Sequence, residues 1–394
     1  MIDTGALLFA WSGTPGTSFG AHIWNGGPAV LNQHIFNVIF DERKIDKHFF
    51  RRAINQKLDE LIDKAHGGVG LRHVTKGKFE STEIDLPPLD QQRVIVATVD
   101  SLFVRSATAR AEVSKIRRLA QRYKQAILAA AFKGEMTATW RRRQDKKQVA
   151  SISEVLTIRS RHFSIMQINE RQPLSPSWKP SIDLPESWRW ASVDQLATVV
   201  QYGSSAKTSD ALTEGVPVLR MGNIVDGRVD FTKLKFLPSS HEEFPELLLK
   251  DGDILFNRTK SAELVGKTAV YSDIGRPISF ASYLIRLRTV GYLPELLSAY
   301  INSEFGREWV RSVVNQQVGQ ANVNGTKLRE LGVPLPPMTE QVEMWGQIKT
   351  AFNSIDRVLT EAERATSMID RLDERALAKA FSGELLNLQR VAGS

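Results

Sequence analysis

The feature that most constrains this chain is that it repeats itself, because a duplicated sequence has to fold as two versions of one unit. LPPLDQQ, from Leu86 to Gln92, returns as LPPMTEQ, from Leu335 to Gln341. AILAAAFKGE, ending at Glu135, returns as ALAKAFSGE, ending at Glu384. Pro88 and Pro337 are 249 residues apart, and so are Phe132 and Phe381, so no insertion separates the landmarks in either copy. Gly319-Gln320-Ala321-Asn322-Val323 falls on Gly70-Leu71-Arg72-His73-Val74 at the same offset. GALLF (Gly5 to Phe9) and GDILF (Gly252 to Phe256) match at 247, which leaves a net difference of two residues in the loops between.

Between its paired landmarks each copy reads as one long helix. Pro87-Pro88 and Pro336-Pro337 suit a helix start, where the amide hydrogen that proline lacks has no partner anyway. Gly134 and Gly383 suit the end, where a left-handed cap is common. Steps of four and three residues pass through Ile95, Val99, Leu102, Ser106, Ala109, Val113, Ile116, Ala120, Tyr123, Ile127 and Ala130, with only Ser106 polar. The second copy gives Met344, Ile348, Ala351, Ile355, Val358, Ala362, Ala365, Ile369, Leu372 and Ala376, all apolar, before Lys379 departs. Such heptads mark helices packed side by side, and about 45 residues at 1.5 Å each make a rod of some 65 Å. A bundle or a homodimeric coiled coil would show the same pattern. Two seams of equal length and phase favour each other as partners within one chain, and periodicity leaves their direction open.

Residues 183–337 read as a complete mixed α/β domain. Leu184-Pro185-Glu186-Ser187-Trp188-Arg189-Trp190 opens it, and VPVLRMGNI, GDILF, KTAVY and SYLIRLR are short strand-like runs divided by Asp226-Gly227, Asp251-Gly252 and Gly275-Arg276-Pro277. A helical stretch from Pro294 to Val314 follows. Residues 1–88 match only the second half of this unit, so the expectation is an N-terminally shortened first domain, or one completed by another chain. The expected order is then a partial domain (1–88), a long helix (89–134), a linker with Arg141-Arg142-Arg143 and Pro173, Pro176 and Pro180 (135–182), a complete domain (183–337), a second long helix (338–384) and a tail (385–394).

Composition narrows the chemistry. The formal charge is +8, with a pI near 9.5, which favours polyanionic partners without specifying one. There is no cysteine, hence no disulfide, thiolate metal site or cysteine nucleophile, and no apolar run long enough for a membrane span. A cytoplasmic protein is expected. Enzyme look-alikes each fail at a required residue. Ser261-Ala-Glu-Leu-Val-Gly266-Lys267-Thr268 has serine where a phosphate-binding loop needs its first glycine. Leu86-Pro87-Pro88-Leu89 lacks the polar first residue and aromatic last residue by which amino-methyltransferases hold an amine and stack its base. Gly67-Gly68-Val69-Gly70 has no strand-turn-helix context for a dinucleotide. The seven histidines show no metal spacing such as HExxH.

LPExW followed by a second tryptophan, GxPVLRxxNI, GDILF, LPPxxEQ and RYKQAILAAAFKGE, in this order and duplicated, together resemble the specificity (HsdS-type) subunits of Type I restriction-modification systems. The resemblance implies an α+β fold in which target-recognition domains are joined by two long helices forming an antiparallel intramolecular coiled coil. It implies a non-catalytic subunit that reads a bipartite site in double-stranded DNA, one half per domain, with helix length setting the gap. It also implies docking of two modification subunits, which carry S-adenosylmethionine and methylate adenine N6, and of a restriction subunit using ATP and Mg. The alternative is a coiled-coil scaffold or decoy that binds these partners without competent DNA recognition.

Base reading requires side chains that bond base edges, typically Arg to guanine and Asn or Gln to adenine, while others hold phosphates. In the complete domain the candidates are Tyr202, Lys207, Arg220, Asn223, Arg258, Lys260, Lys267, Gln316, Gln317, Gln320, Asn322, Asn324 and Lys327. The polar stretch from Asn315 to Asn324 is the strongest group, and Asn223 reads equally as a turn former. The matching stretch of the first copy is His66 to Lys78.

Overall fold

The computed structural model describes residues 1–13, 18–63, 72–144, 148–210, 214–261, 264–317, 320–382 and 384. They form two compact units, residues 1–118 with 359–394 and residues 119–358. Two helices of equal length, Leu89–Phe132 and Met338–Phe381, each contribute residues to both.

The first unit is built on the strand Leu7–Ala10, whose four side chains are all buried. Gly20–Ile23 and Ile35–Asn37 flank it, both antiparallel, and Phe9 packs among Phe19, Phe36 and Phe79. Helix Lys47–Gln56 starts where Asp46 accepts from the Phe49 amide, and its Phe49 and Ala53 pack with Ile95, Val99 and Ala380 of the long helices.

In the second unit the same scheme returns with one more strand. Its antiparallel sheet runs Thr268–Val270, Ile254–Asn257, Leu284–Thr289, Ala197–Tyr202, and the last of these comes from the stretch with no counterpart in residues 1–88. Helix Pro294–Asn302 takes the place of Lys47–Gln56. Hydrogen bonds are duplicated along with elements. The Asn55 side chain both accepts from and donates to the backbone of Ala21, and Asn302 does the same at Thr268. Gln92 bonds Lys44 O, Pro87 O and the Asp46 amide, and Gln341 bonds Gly291 O, Pro336 O and the Leu293 amide. The motif glutamine therefore clamps each long helix to the start of the domain helix beside it. The asparagine pair keeps the 247 offset, while Arg72–His73 and Ala321–Asn322 keep 249, so the two-residue difference falls between these landmarks.

The stretch read as a linker carries helices Ala138–Arg142 and Ile152–Met166. Buried Arg159 donates to Ala197 O and pairs with Glu170, and Val155 rests against Gly291, whose φ of +65° suits glycine. Glu340 of the second long helix is 1% exposed. It accepts from Thr137 Oγ1 at 2.6 Å, Arg141 Nη2 at 2.6 Å and Trp188 Nε1 at 2.9 Å. One carboxylate thus ties the short helix that follows the first long helix, the domain's opening LPESW segment and the second long helix.

The long helices are antiparallel partners. In the first unit Ser106 donates to Asp373, Arg110 pairs with Asp370 and Asp373, and Arg117 with Glu363. In the second, Lys124 pairs with Asp356 at 2.7 Å and lies 5.3 Å from the Phe352 ring centre. Of the expected seam, Ile95, Val99, Ile127, Ile348 and Ile355 are buried, and Leu102, Val113, Ile116 and Ile369 are half-buried. Tyr123, Val358 and Leu372 are more than half exposed, which corrects the heptad reading at those positions. Lys124, Leu359 and Asp373 turn inward instead. At each point a step of four replaces the expected three, as happens when a helix of 3.6 residues per turn drifts off a strict 3.5 repeat.

Candidate nucleic-acid interface

The polar stretch of the second unit is a small antiparallel sheet. Asn315–Gln317 pairs with Gln320–Asn322, which pairs on its other side with Thr259–Lys260. It meets the central sheet at Arg258, which directly follows the buried strand Ile254–Asn257. The Arg258 amide donates to Tyr283 O at 3.1 Å, and its carbonyl accepts from the Val323 amide at 2.9 Å. The Arg258 guanidinium lies over the Tyr202 ring, 5.0 Å from its centre. The Tyr202 hydroxyl accepts from the Gly325 amide at 2.7 Å. Asn324 caps the short helix Gly325–Arg329 by accepting from the Lys327 amide, and Lys327 Nζ donates to Val313 O at 2.7 Å.

The structure therefore brings together Tyr202, Arg258, Lys260, Gln316, Gln317, Gln320, Asn322, Asn324 and Lys327 on one sheet and its supports. The side chains of Lys260, Gln316, Gln317 and Gln320 lie outside the described residues, whereas Asn322 and Asn324 are exposed. The remaining candidates belong elsewhere. Exposed Lys207 precedes Ser209, which bridges to Phe236 at the edge of a separate sheet of Lys235–Leu237, Val216–Leu219 and Ser279–Phe280. Arg220 and Asn223 form the turn after Val216–Leu219, with Arg220 donating to Lys233 O. Asn223 is 4% exposed and spends its side chain on the Arg220 amide, Asp230 O and Thr232 O, so it holds the turn. Lys267 is half-buried, and its backbone bonds Leu264 O and the Asn257 amide.

In the first unit Ser12–Gly13 and Arg72–His73 make the matching strand pair, and Thr75 caps helix Lys76–Glu80. The rest of the expected stretch, residues 66–71, lies outside the described residues. Sequence reasoning missed two neighbours of this polar sheet. Tyr283 is exposed beside Arg258, and the only sequence signal was an aromatic opening a strand-like run. Arg329 donates to Val200 O; burial, then nearby Arg171, lowers its guanidinium from the ordinary value, although an arginine stays charged at neutral pH. Among the described residues no three metal-ligating side chains converge, and no helix is long and apolar enough to cross a membrane.

Residues 1–116 and 185–364 match the profile described as the Type I restriction modification DNA specificity domain. The Type I restriction enzyme EcoKI specificity subunit of Escherichia coli K12 is 25% identical over 341 residues, covering 86% of this chain and 64% of that protein. The EcoBI specificity subunit of Escherichia coli is 25% identical over 371 residues, covering 93% and 72%. The chain thus spans less than two thirds of the EcoKI subunit's length. The crystal structure of the HsdS subunit from Thermoanaerobacter tengcongensis superposes over 97% of this chain and 82% of that one, with a TM-score of 0.52 at 18% identity. A chain from a structure addressing complex assembly and conformational transition of the type I R-M system gives 0.62 over 96% and 82%, also at 18%. At that identity the likeness is one of fold.

Proposed function

The chain belongs to the Type I restriction modification DNA specificity domain family, and from that premise we propose that it is the sequence-reading subunit of a Type I complex. It reads a bipartite double-stranded site, the second half through residues 183–337, and the paired long helices set the gap between halves. It docks modification subunits and a restriction subunit, and those partners hold the S-adenosylmethionine, ATP and Mg that the reactions require. Its own part is to bind, orient and space.

The observation that carries this reading is the polar sheet built on Arg258 and Tyr202. Two short strands rich in Gln and Asn pair with each other next to Arg258, whose guanidinium lies over the Tyr202 ring. Amide side chains offer the paired donor and acceptor that adenine presents in the major groove, and a guanidinium fits guanine. The antiparallel helix pair supports the spacing role.

Methylation mapping with the modification subunits tests the proposal. The expected result is adenine methylation confined to a bipartite sequence. Tight complex formation without any modified site would overturn it in favour of a scaffold or decoy.

A further inference from the structure

Arg258 stands apart from the other arginines of its unit. Each of the others withdrawn from solvent places at least one guanidinium nitrogen on an acceptor. Arg288 bonds Asp253, and Arg286 bonds Leu248 O and Glu246 O. Arg141 uses Glu340, Arg159 uses Ala197 O, Arg220 uses Lys233 O, Arg307 uses Val265 O and Arg329 uses Val200 O. Arg258 is half-buried, its Nε is sealed from solvent, and among the described residues its guanidinium lies over the face of Tyr202 with no hydrogen bond or ion pair. A ring face attracts the charge but accepts none of its N–H bonds along their own directions, so the sealed Nε is left without an acceptor among the described residues.

The surroundings fix the fork in place. Both backbone groups of Arg258 are bonded, to Tyr283 O and to the Val323 amide. Tyr202 is fixed in turn by the Gly325 amide, and Gly325 is a residue whose Cβ would come within 3.2 Å of that hydroxyl. We infer that Arg258 reads a guanine in the half-site addressed by this unit, with Tyr202 as the positioning residue that holds the guanidinium in one plane. The inference rests on the DNA-reading proposal above. Guanine offers O6 and N7 as a coplanar acceptor pair matched to a fork, and a fork held against a fixed ring forms that pair with less further ordering than a free one. A phosphate tolerates many approach angles, so a preset plane would gain little there.

The test is the methylated consensus and DNA affinity of the complex containing the parent chain, R258K, Y202A and Y202F, each first verified for unchanged melting and partner binding. The parent consensus is expected to include a guanine in one half-site. R258K keeps the charge and loses the fork, so discrimination at that guanine should fall about ten- to a hundredfold while other positions stay selective. Y202A should relax the same position, and Y202F, which keeps the ring, should restore it. Uniform weakening in R258K with an unchanged consensus would make Arg258 a phosphate contact and overturn the inference. An unchanged consensus and affinity would also overturn it, leaving the DNA-reading proposal standing. A parent complex without sequence-selective modification would overturn that proposal, and the guanine assignment with it.

Discussion

Glu340→Ala should cost the second unit about 3 kcal/mol, the lower end of what breaking a buried ion pair removes. The estimate follows from what the carboxylate leaves behind. Trp188, a buried side chain, loses the acceptor of its indole N–H, and an unsatisfied buried donor costs about 1–3 kcal/mol. Arg141 loses a charged partner at 2.6 Å but keeps Gly134 O and the Thr137 hydroxyl, and its side chain is 25% exposed. Water can therefore reach it, which keeps the cost from the upper end of the range. For a unit of this size, such a loss lowers the midpoint of thermal unfolding by roughly 6–12 °C. Urea denaturation of the parent, E340A, R141A and the double variant would measure both the loss and the coupling. The pair should couple by more than about 1 kcal/mol, since residues sharing one hydrogen-bond network are non-additive. A cost for E340A under about 1 kcal/mol, or additive single variants, would refute the argument that this carboxylate joins three segments.

Other outcomes follow from the same structure. Ile348→Ala should destabilise by about 2–5 kcal/mol in chemical denaturation, whereas Leu372→Ala and Tyr123→Ala should stay within about 0.5 kcal/mol, because only the first is buried. Arg117→Ala removes an ion pair exposed at both ends and should change stability by less than about 1 kcal/mol. Gln341→Ala orphans the Leu293 amide and two carbonyls, and should cost about 1–3 kcal/mol, with faster hydrogen exchange at the start of helix 294–302. Deleting seven residues within Val99 to Tyr123 should shift the spacing of the methylated half-sites or abolish assembly; unchanged spacing and activity would count against the ruler role.

The long helices were legible because their signal is local and repeated: apolar residues at regular steps between proline and glycine landmarks. The seam failed at Tyr123, Val358 and Leu372 because a strict heptad ignores where a straight helix drifts, and because Lys124 and Asp373 gain from ion pairs with the partner helix. Periodicity sees neither cross-helix charge nor direction. The helix Ile152–Met166 carried a usable signal in Ser151-Ile-Ser-Glu154, and the Ser151 side chain does accept from the Glu154 amide. Nearby prolines and basic residues drew the reading toward a linker. In the candidate interface, the segment Asn315–Asn324 was found by composition, and Asn223 resolved to the turn. That the Arg258 guanidinium finds no acceptor among the described residues was invisible in sequence, because it is a property of surroundings that only folding assembles. Glu340 was hidden for the same reason, its partners being 152 to 203 residues distant.

The asparagine and glutamine clamps also define where this architecture tolerates change. Each copy is fastened once at the domain helix and once at the head of the long helix, by side chains that address only backbone groups. Backbone atoms are common to all residues, so the fastenings place no demand on the identity of what they hold. A two-residue length difference between the copies falls after the first fastening and before the return to common register at Arg72 and Ala321. A change of length in that interval therefore leaves both fastenings in place, because each one closes on backbone outside it.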